Sequence, residues 1–391
     1  MTLQRSALVL LATATACSHG SGSPTPVDAA PPPVPDLASA ADLSPAHDDR
    51  PLEIRFLGVG GFMMRRGQDA IVTAPLYSNP SILATTITGV ASDPTEVMKF
   101  ASSQPFDEVR ALLVGHAHYD HLLDVPTVFP LLAPDALIYG NSTMFNLLAS
   151  YFPDRSTRCT TPAPAYSIPR ERVIALDAAG ADKIDRRVCV GGGSTAGQWI
   201  QLPNLNVRIY ALCSMHPPQV GPFTFAPGSV DTEQCDPPSA GDDWKEGQTL
   251  SYLIDFLDTD GITPAYRIYY QDAPTNAPVG QPPADVLMDK RVDAALLCVG
   301  SYSEVADQPA AILAALAPRY TIGGHWENFF QTQDLPLQPI PFLDLTTYTQ
   351  NAAAAMAPGS VAPIVVDGTA TSTRSFVPNP GTIFSVSRDQ P

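Results

Sequence analysis

Charge is scarce in this sequence, and positive charge scarcest of all. Of 391 residues only 16% are charged, with 22 Lys and Arg set against 39 Asp and Glu, a formal net charge of −17. No Lys/Arg-rich run gathers the basic residues into a patch, so a phosphate backbone would meet repulsion, which argues against a nucleic-acid partner. Beyond the amino terminus no apolar stretch reaches the roughly 18 residues of a membrane-spanning helix. Histidine is rare as well, with seven in the chain. Proline is abundant: 41 residues, about twice the usual share of roughly 5%, which excludes a helical bundle or coiled coil. Hydrophobic residues at 45% supply a sizeable core and exclude global disorder.

The amino terminus reads as an address. Arg5 precedes the apolar run Ala7–Ala12, and Ala14-Thr15-Ala16 is a small-x-small cleavage pattern followed at once by Cys17. Residues 1–16 are therefore expected to be a signal peptide. An ordinary secretory signal and a bacterial lipoprotein signal would both be cut after Ala16; the second would leave Cys17 lipidated. Ser18-His19-Gly20-Ser21-Gly22-Ser23 resembles the tether behind a lipidated cysteine, so the preferred expectation is a membrane-anchored lipoprotein of the bacterial cell envelope. A periplasmic or secreted protein is the alternative, and Cys17 would be the sole membrane contact. Residues 17–50 are Pro-rich and read as a disordered tether, leaving 51–391 as the folded domain.

Within that domain Ile54–Leu57, Gly61–Arg65, Ala70–Thr73, Val109–Val114, Val207–Leu212, Leu250–Phe256, Tyr266–Tyr270, Val292–Val299 and Arg319–Ile322 have the pattern of strands. Helices are expected from an Asn141 cap to about Tyr151, and from about Glu304 to Leu316. Mixed strands and helices indicate a layered α/β domain, with long loops at about 153–187 and 217–247. The sequence-local cysteine pairings are Cys159 with Cys189 and Cys213 with Cys235, and Cys298 reads as a buried free thiol in a strand.

The chemistry gathers where strands end. His116-Ala117-His118-Tyr119-Asp120-His121 directly follows a strand, and three imidazoles and a carboxylate within six residues suit a borderline metal such as zinc. His116 and His118, as alternate residues, point together, while Asp120 and His121 turn toward a second position. The remaining histidines of the domain, His216 and His325, also sit just beyond strand ends, as does Asp272. All three are expected as further ligands.

These features resemble the metallo-β-lactamase fold superfamily of metal-dependent hydrolases, with its H-x-H-x-D-H signature followed in order by a single His, a single Asp and a final His. The resemblance spans about residue 52 to at least 330 and implies an αββα four-layer sandwich with metals at one edge of the two sheets. It implies His116, His118 and His216 on one cation, Asp120, His121 and His325 on the other, and Asp272 bridging them. The tyrosine of His118-Tyr119-Asp120-His121, with Gly60-Gly61-Phe62, Val299–Tyr302 and Gly324-His325-Trp326, resembles a branch including ascorbate-6-phosphate lactonase-like proteins and N-acylphosphatidylethanolamine phospholipase D. Two positions depart from the superfamily pattern. Ala74 stands where an early Asp is usual, which bears on outer-shell support of the metal loop, and Gln271 stands where Gly usually precedes the bridging Asp.

The resemblance implies two divalent ions, zinc foremost with manganese or iron as alternatives, and an exported hydrolase that uses a metal-bound hydroxide on an ester, lactone or phosphodiester bond. Asp120 would both ligate and orient the nucleophile. The substrate would be a small or lipid-like molecule. Tyr302 and Glu327 are candidate proton donors, and Trp326 either lines the cleft or packs in the core. Ala74 and Gln271 support an alternative, a metal-binding or scaffold lipoprotein without turnover.

Overall fold

The structure, a computed structural model, describes residues 48–177, 189–190, 194–195, 197–219 and 221–389. The expected signal segment and most of the tether lie outside the described residues. Asp48–Arg50, assigned above to the tether, already dock on the domain: Asp48 N donates to Asp258 Oδ1 at 3.1 Å, and Arg50 O accepts from Tyr266 Oη at 2.9 Å.

Two large sheets dominate. In the nine-stranded sheet the order is Thr369–Thr371, Ile364–Val366, Ile383–Val386, Leu52–Gly58, Gly61–Arg66, Asp69–Thr73, Val109–Leu113, Leu137–Gly140 and Val173–Ala175. In the seven-stranded sheet it is Ser375–Phe376, Tyr320–Gly324, Ala294–Cys298, Pro264–Gln271, Leu250–Leu257, Val207–Cys213 and Trp199–Gln201. The period-two alternation of strands decides what meets what. Ile54, Phe56, Phe62, Met64, Ile71 and Leu113 from the first sheet pack against Ile209, Tyr252, Ile254, Tyr266, Ile268, Tyr270 and Ile322 from the second. The opposite face of the first sheet, with Met63, Val72, Leu112 and Ile138, is covered by Val97 and Ala101 of the helix Pro94–Ala101, by Val125–Val128, and by Met144 and Leu147 of Ser142–Leu148. On the second sheet, Gly323 faces Tyr348 of the helix Leu345–Ala355, while its neighbour Gly324 faces Phe62 in the inter-sheet core. The helix Ala310–Leu316 crosses between the parallel strands Ala294–Cys298 and Tyr320–Gly324. Helix, sheet, sheet, helix is the expected αββα sandwich.

The expected strands all form, with ends shifted by a few residues. Asn141 caps its helix, Oδ1 accepting from Met144 N at 2.7 Å. The second expected helix begins at Ala310, not near Glu304, because Pro309 disfavours helical backbone at the residue before it. Cysteine pairing also departs from expectation: Cys159 is bonded to Cys235, 76 residues away, and Cys213 is disulfide-bonded too. The two long loops lie side by side, tied by Arg170 to Glu233 at 2.5 Å and Arg158 to Glu233 at 3.1 Å, so spatial proximity overrides sequence proximity. Cys298 is free and buried, as expected. Among the described residues no helix is long and apolar enough to cross a membrane.

A buried ion network secures the end of the second sheet away from the histidines. Arg267 grips Asp255 through Nε and Nη2 at 2.7 and 2.8 Å, both residues being fully buried. Arg208 also reaches Asp255 at 2.8 Å. Replacing Arg267 with Met strips a buried carboxylate of its main partner, and the expected loss is about 3–5 kcal/mol of unfolding free energy. Arg267 lies five residues before Asp272, roughly 17 Å along the strand, so metal binding should be unchanged. Urea denaturation checks the prediction; a loss below about 1 kcal/mol would contradict the role given to this pair.

Candidate metal centre

All the predicted ligands arrive at one sheet edge because the strands that carry them end there. Val109–Leu113 runs into His116, Pro264–Gln271 into Asp272 and Tyr320–Gly324 into His325, each from a strand that pairs in parallel with a neighbour. Val207–Cys213 runs antiparallel to Leu250–Leu257, itself antiparallel to Pro264–Gln271, so it too ends at this edge and delivers His216. Carboxyl ends of strands are where open α/β sheets place their ligands. The two sheets are pinned to each other at this point: Leu250 N donates to Gly115 O at 2.7 Å, and Tyr252 Oη donates to Val114 O at 2.8 Å.

After the strand the chain bends at Gly115 and reaches His118, whose own backbone is extended, before turning into the short helix Tyr119–Leu122. That change separates the hexapeptide into two directions, as the spacing anticipates. His116, His118 and His216 form one group able to hold a cation; Asp120, His121 and His325 form a second; His116, His121 and Asp272 form a third between them. Ring centroids are 4.7 Å apart for His116 and His118, 4.8 Å for His116 and His216, and 5.0 Å for His121 and His325. His325 has a φ of +57°, and this left-handed residue just beyond Gly324 brings its Nε2 within 3.1 Å of Asp120 Oδ2.

The hydrogen bonds fix which nitrogens are free. His216 Nδ1 donates to Pro217 O at 2.6 Å, and His116 Nδ1 donates to Asp272 Oδ2 at 2.6 Å, leaving Nε2 of each ring with its lone pair. His116 Nε2, His118 Nε2, His121 Nε2 and His325 Nδ1 are buried without any hydrogen-bond partner. An unsatisfied buried polar atom costs about 1–3 kcal/mol, and the Nε2 atoms of His116, His118 and His121 at one edge fit a centre whose missing partners are cations; at His325 the nitrogen that faces the group is Nε2, beside Asp120 Oδ2. His121 Nδ1 lies 2.9 Å from Asp272 Oδ1, without hydrogen-bond alignment. Asp272 therefore sits against the Nδ1 side of both rings, tying the two groups together.

Charge is arranged to match. Burial, reinforced by neighbouring imidazoles, pushes His116, His118 and His216 down to about 3, so these rings are neutral at neutral pH. Burial also opposes charge on His121, but Asp272 and Asp120 on either side outweigh it and raise its pKa to about 10. Asp120 and Asp272 stay ionised: burial raises their pKa values, and the facing imidazoles more than reverse it.

Around the ligands the structure supplies residues that sequence reasoning missed. Asp124, fully buried, accepts from Tyr77 N at 2.7 Å, Ser78 N at 2.8 Å and Ser92 Oγ at 2.6 Å, anchoring the helix that carries His121. Ala74, in place of an early Asp, is buried. The turn before the second strand is instead held by Thr73, whose Oγ1 accepts from Phe62 N at 2.7 Å and donates to Gly60 O at 2.5 Å. Tyr270 joins Asp272 and Gly60; its two-residue spacing from Asp272 on a strand was the available signal. Of the two readings of Trp326 the core one holds, its Nε1 donating to Pro378 O at 2.7 Å. Two expectations need correction. Glu327 is buried with its carboxylate turned to Val59 N and Trp326 N, and the Tyr302 hydroxyl donates to Asp344 O at 3.0 Å. Neither is therefore placed as a proton donor.

No protein-family model matches the chain, and no curated protein matches it. Among solved structures it is similar to the metallo-β-lactamase fold protein YhfI from Bacillus subtilis, at 11% identity over 86% of this chain and 99% of that chain, with a TM-score of 0.41. It is similar to Igni18, a metallo hydrolase from the archaeon Ignicoccus hospitalis, at 13% identity over 85% of this chain and 98% of that chain, with a TM-score of 0.42. It is also similar to CmlA, a diiron β-hydroxylase from Streptomyces venezuelae, at 10% identity over 87% of this chain and 54% of that chain, with a TM-score of 0.41.

Proposed function

We propose that the protein is a metal-dependent hydrolase of metallo-β-lactamase type, holding two divalent cations, zinc foremost, and cleaving an ester, lactone or phosphodiester bond of a small or lipid-like substrate. The observation that carries this reading is the pair of His/Asp groups at one sheet edge, in which Nε2 of His116, His118 and His121 is buried with no hydrogen-bond partner. His116, His118 and His216 would hold one cation, and Asp120, His121 and His325 the other. Bound there, two cations supply Lewis acidity, lowering the pKa of a water to about 7 and polarising the scissile oxygen. The neutral rings of the first group can ligate without losing a proton. Asp120, ionised and facing His325 and His121, would balance the cation charge and orient a water through a carboxylate oxygen. The amino-terminal apolar run and Cys17 support an exported, envelope-anchored protein, and mass spectrometry of the mature chain decides whether an acylated Cys17 is its first residue.

Purified protein loaded with zinc should carry about two ions per chain and turn over at least one member of a panel of chromogenic esters, lactones and bis-p-nitrophenyl phosphate. Asp120→Asn keeps the shape and removes the charge; it should lower turnover at least about 100-fold, with His325→Ala acting similarly. A variant Asp120→Asn that works near the parent rate would overturn the mechanism. Full metal occupancy with no turnover of any substrate would support the alternative, a metal-binding scaffold.

Metal uptake should also release protons. His121 is protonated at pH 6 by its two carboxylate neighbours, whereas His116, His118 and His216 are not. Displacing the His121 proton predicts release of at least about one proton per chain on zinc binding at pH 6. Calorimetry in two buffers of different ionisation enthalpy measures it, and no release would contradict a protonated His121 in the metal-free protein.

A further inference from the structure

Tyr270 and Asp272 are two residues apart at the end of one strand and therefore face the same side, into the space between the sheets. Tyr270 is buried, and its hydroxyl lies against two oxygens, Asp272 Oδ1 and, at 3.0 Å, Gly60 O. A phenol has one proton to donate. Gly60 O already accepts from Thr73 Oγ1 at 2.5 Å, which leaves Asp272 Oδ1 as the open acceptor for that proton. The carboxylate occupies a slot that exists because two neighbours lack side chains. A Cβ on Gly60 would lie 3.0 Å from Asp272 Oδ1 and 2.7 Å from His121 Nδ1, and a Cβ on Gly115 would collide with the Asp272 carboxylate itself. Among the described residues the aligned hydrogen bonds on Asp272 are those from His116 Nδ1, on Oδ2, and from Tyr270, on Oδ1.

We infer that Tyr270 is a positioning residue of the metal centre: its hydroxyl holds Asp272 Oδ1 and so sets the plane in which the carboxylate meets His116, His121 and the cations held with them. The inference rests on the metal-centre part of the proposed function and is independent of hydrolysis. With Phe at 270 the slot between the two glycines leaves Asp272 free to rotate about its remaining bond to His116.

The test is a double-mutant cycle read by zinc affinity in chelator competition and by the absorption spectrum of the cobalt-substituted protein. Tyr270→Phe should weaken affinity roughly 10–100-fold and shift the cobalt bands. In an Asp272→Asn background the same substitution should add less than about a threefold change, because the group it acts through is already altered. Tyr269→Phe is the control. It removes a buried hydroxyl on the same strand that donates to Gly280 O at 2.8 Å, and it should leave affinity and spectrum at parent values. If Tyr270→Phe fails to fold, 3-fluorotyrosine at position 270 provides a second route: it keeps the ring and the hydroxyl, makes that hydroxyl a stronger donor to Asp272, and should shift the cobalt bands, whereas unchanged bands would overturn the inference. Parent-like affinity and spectrum in Tyr270→Phe, or a fully additive loss in the double variant, would overturn the inference. A parent that binds zinc but hydrolyses nothing overturns the hydrolase reading and leaves this cycle intact. A parent that binds no zinc overturns both.

Discussion

The structure depends on one electrostatic imbalance. Five imidazoles and two carboxylates are packed at the carboxyl ends of the strands, with buried ring nitrogens that the groups around them leave without a hydrogen bond. Nothing in the surrounding protein relieves it: His116, His118, His121 and His325 each keep a buried nitrogen without a partner. A fold that carries several unsatisfied groups of about 1–3 kcal/mol each is stable because the rest of the sandwich is large and well packed, and because a cation can complete the site. At the far end of the second sheet Arg267 is paired with Asp255 and Arg319 with Asp293 in the interior, so each buried carboxylate there has a guanidinium beside it, although Arg319 Nε and Nη2 keep no hydrogen-bond partner.

The imbalance also explains the small residues and buried carboxylates around the ligands. Gly115 lets the two sheets approach and leaves room for Asp272, while Gly60 closes over His121. Glu327, next but one to His325, reaches across to Val59 N, and Asp124, three residues after His121, collects donors from the segment 77–92. The segments of His325 and Asp272 are thus clamped to the Gly58–Gly61 turn by Glu327 and Tyr270, while the hexapeptide is held separately through Asp124. A disturbance of that turn would reach His325 and Asp272 at once.

Much of this was legible in the sequence because metal chemistry uses few residue types at fixed spacing. The hexapeptide 116–121 follows a strand, and with so few histidines in the domain His216 and His325 had few alternative roles. Asp272 was found from its place at a strand end. What escaped was set by tertiary packing. Ile364–Val366 and Ile383–Val386 extend the first sheet beside Leu52–Gly58, yet they are too short to show a period of their own. The Cys159–Cys235 bond depends on two irregular loops meeting in space. Trp326 and Glu327 follow a ligand in sequence, but the strand ends at Gly324 and His325 is left-handed, and beyond that break Trp326 reaches Pro378 O and Glu327 reaches Val59 N. Tyr270 had a readable spacing from Asp272, and only the structure, by placing Gly60 and Gly115 beside them, gives that spacing a consequence.

The central claim is that two cations sit between these side chains. Anomalous X-ray diffraction from crystals of the zinc-loaded protein, collected on both sides of the zinc absorption edge, tests it most directly. The account predicts two peaks per chain, one bounded by His116, His118 and His216, the other by Asp120, His121 and His325, with Asp272 beside both. No peak at this sheet edge, or zinc bound only elsewhere on the molecule, would contradict it.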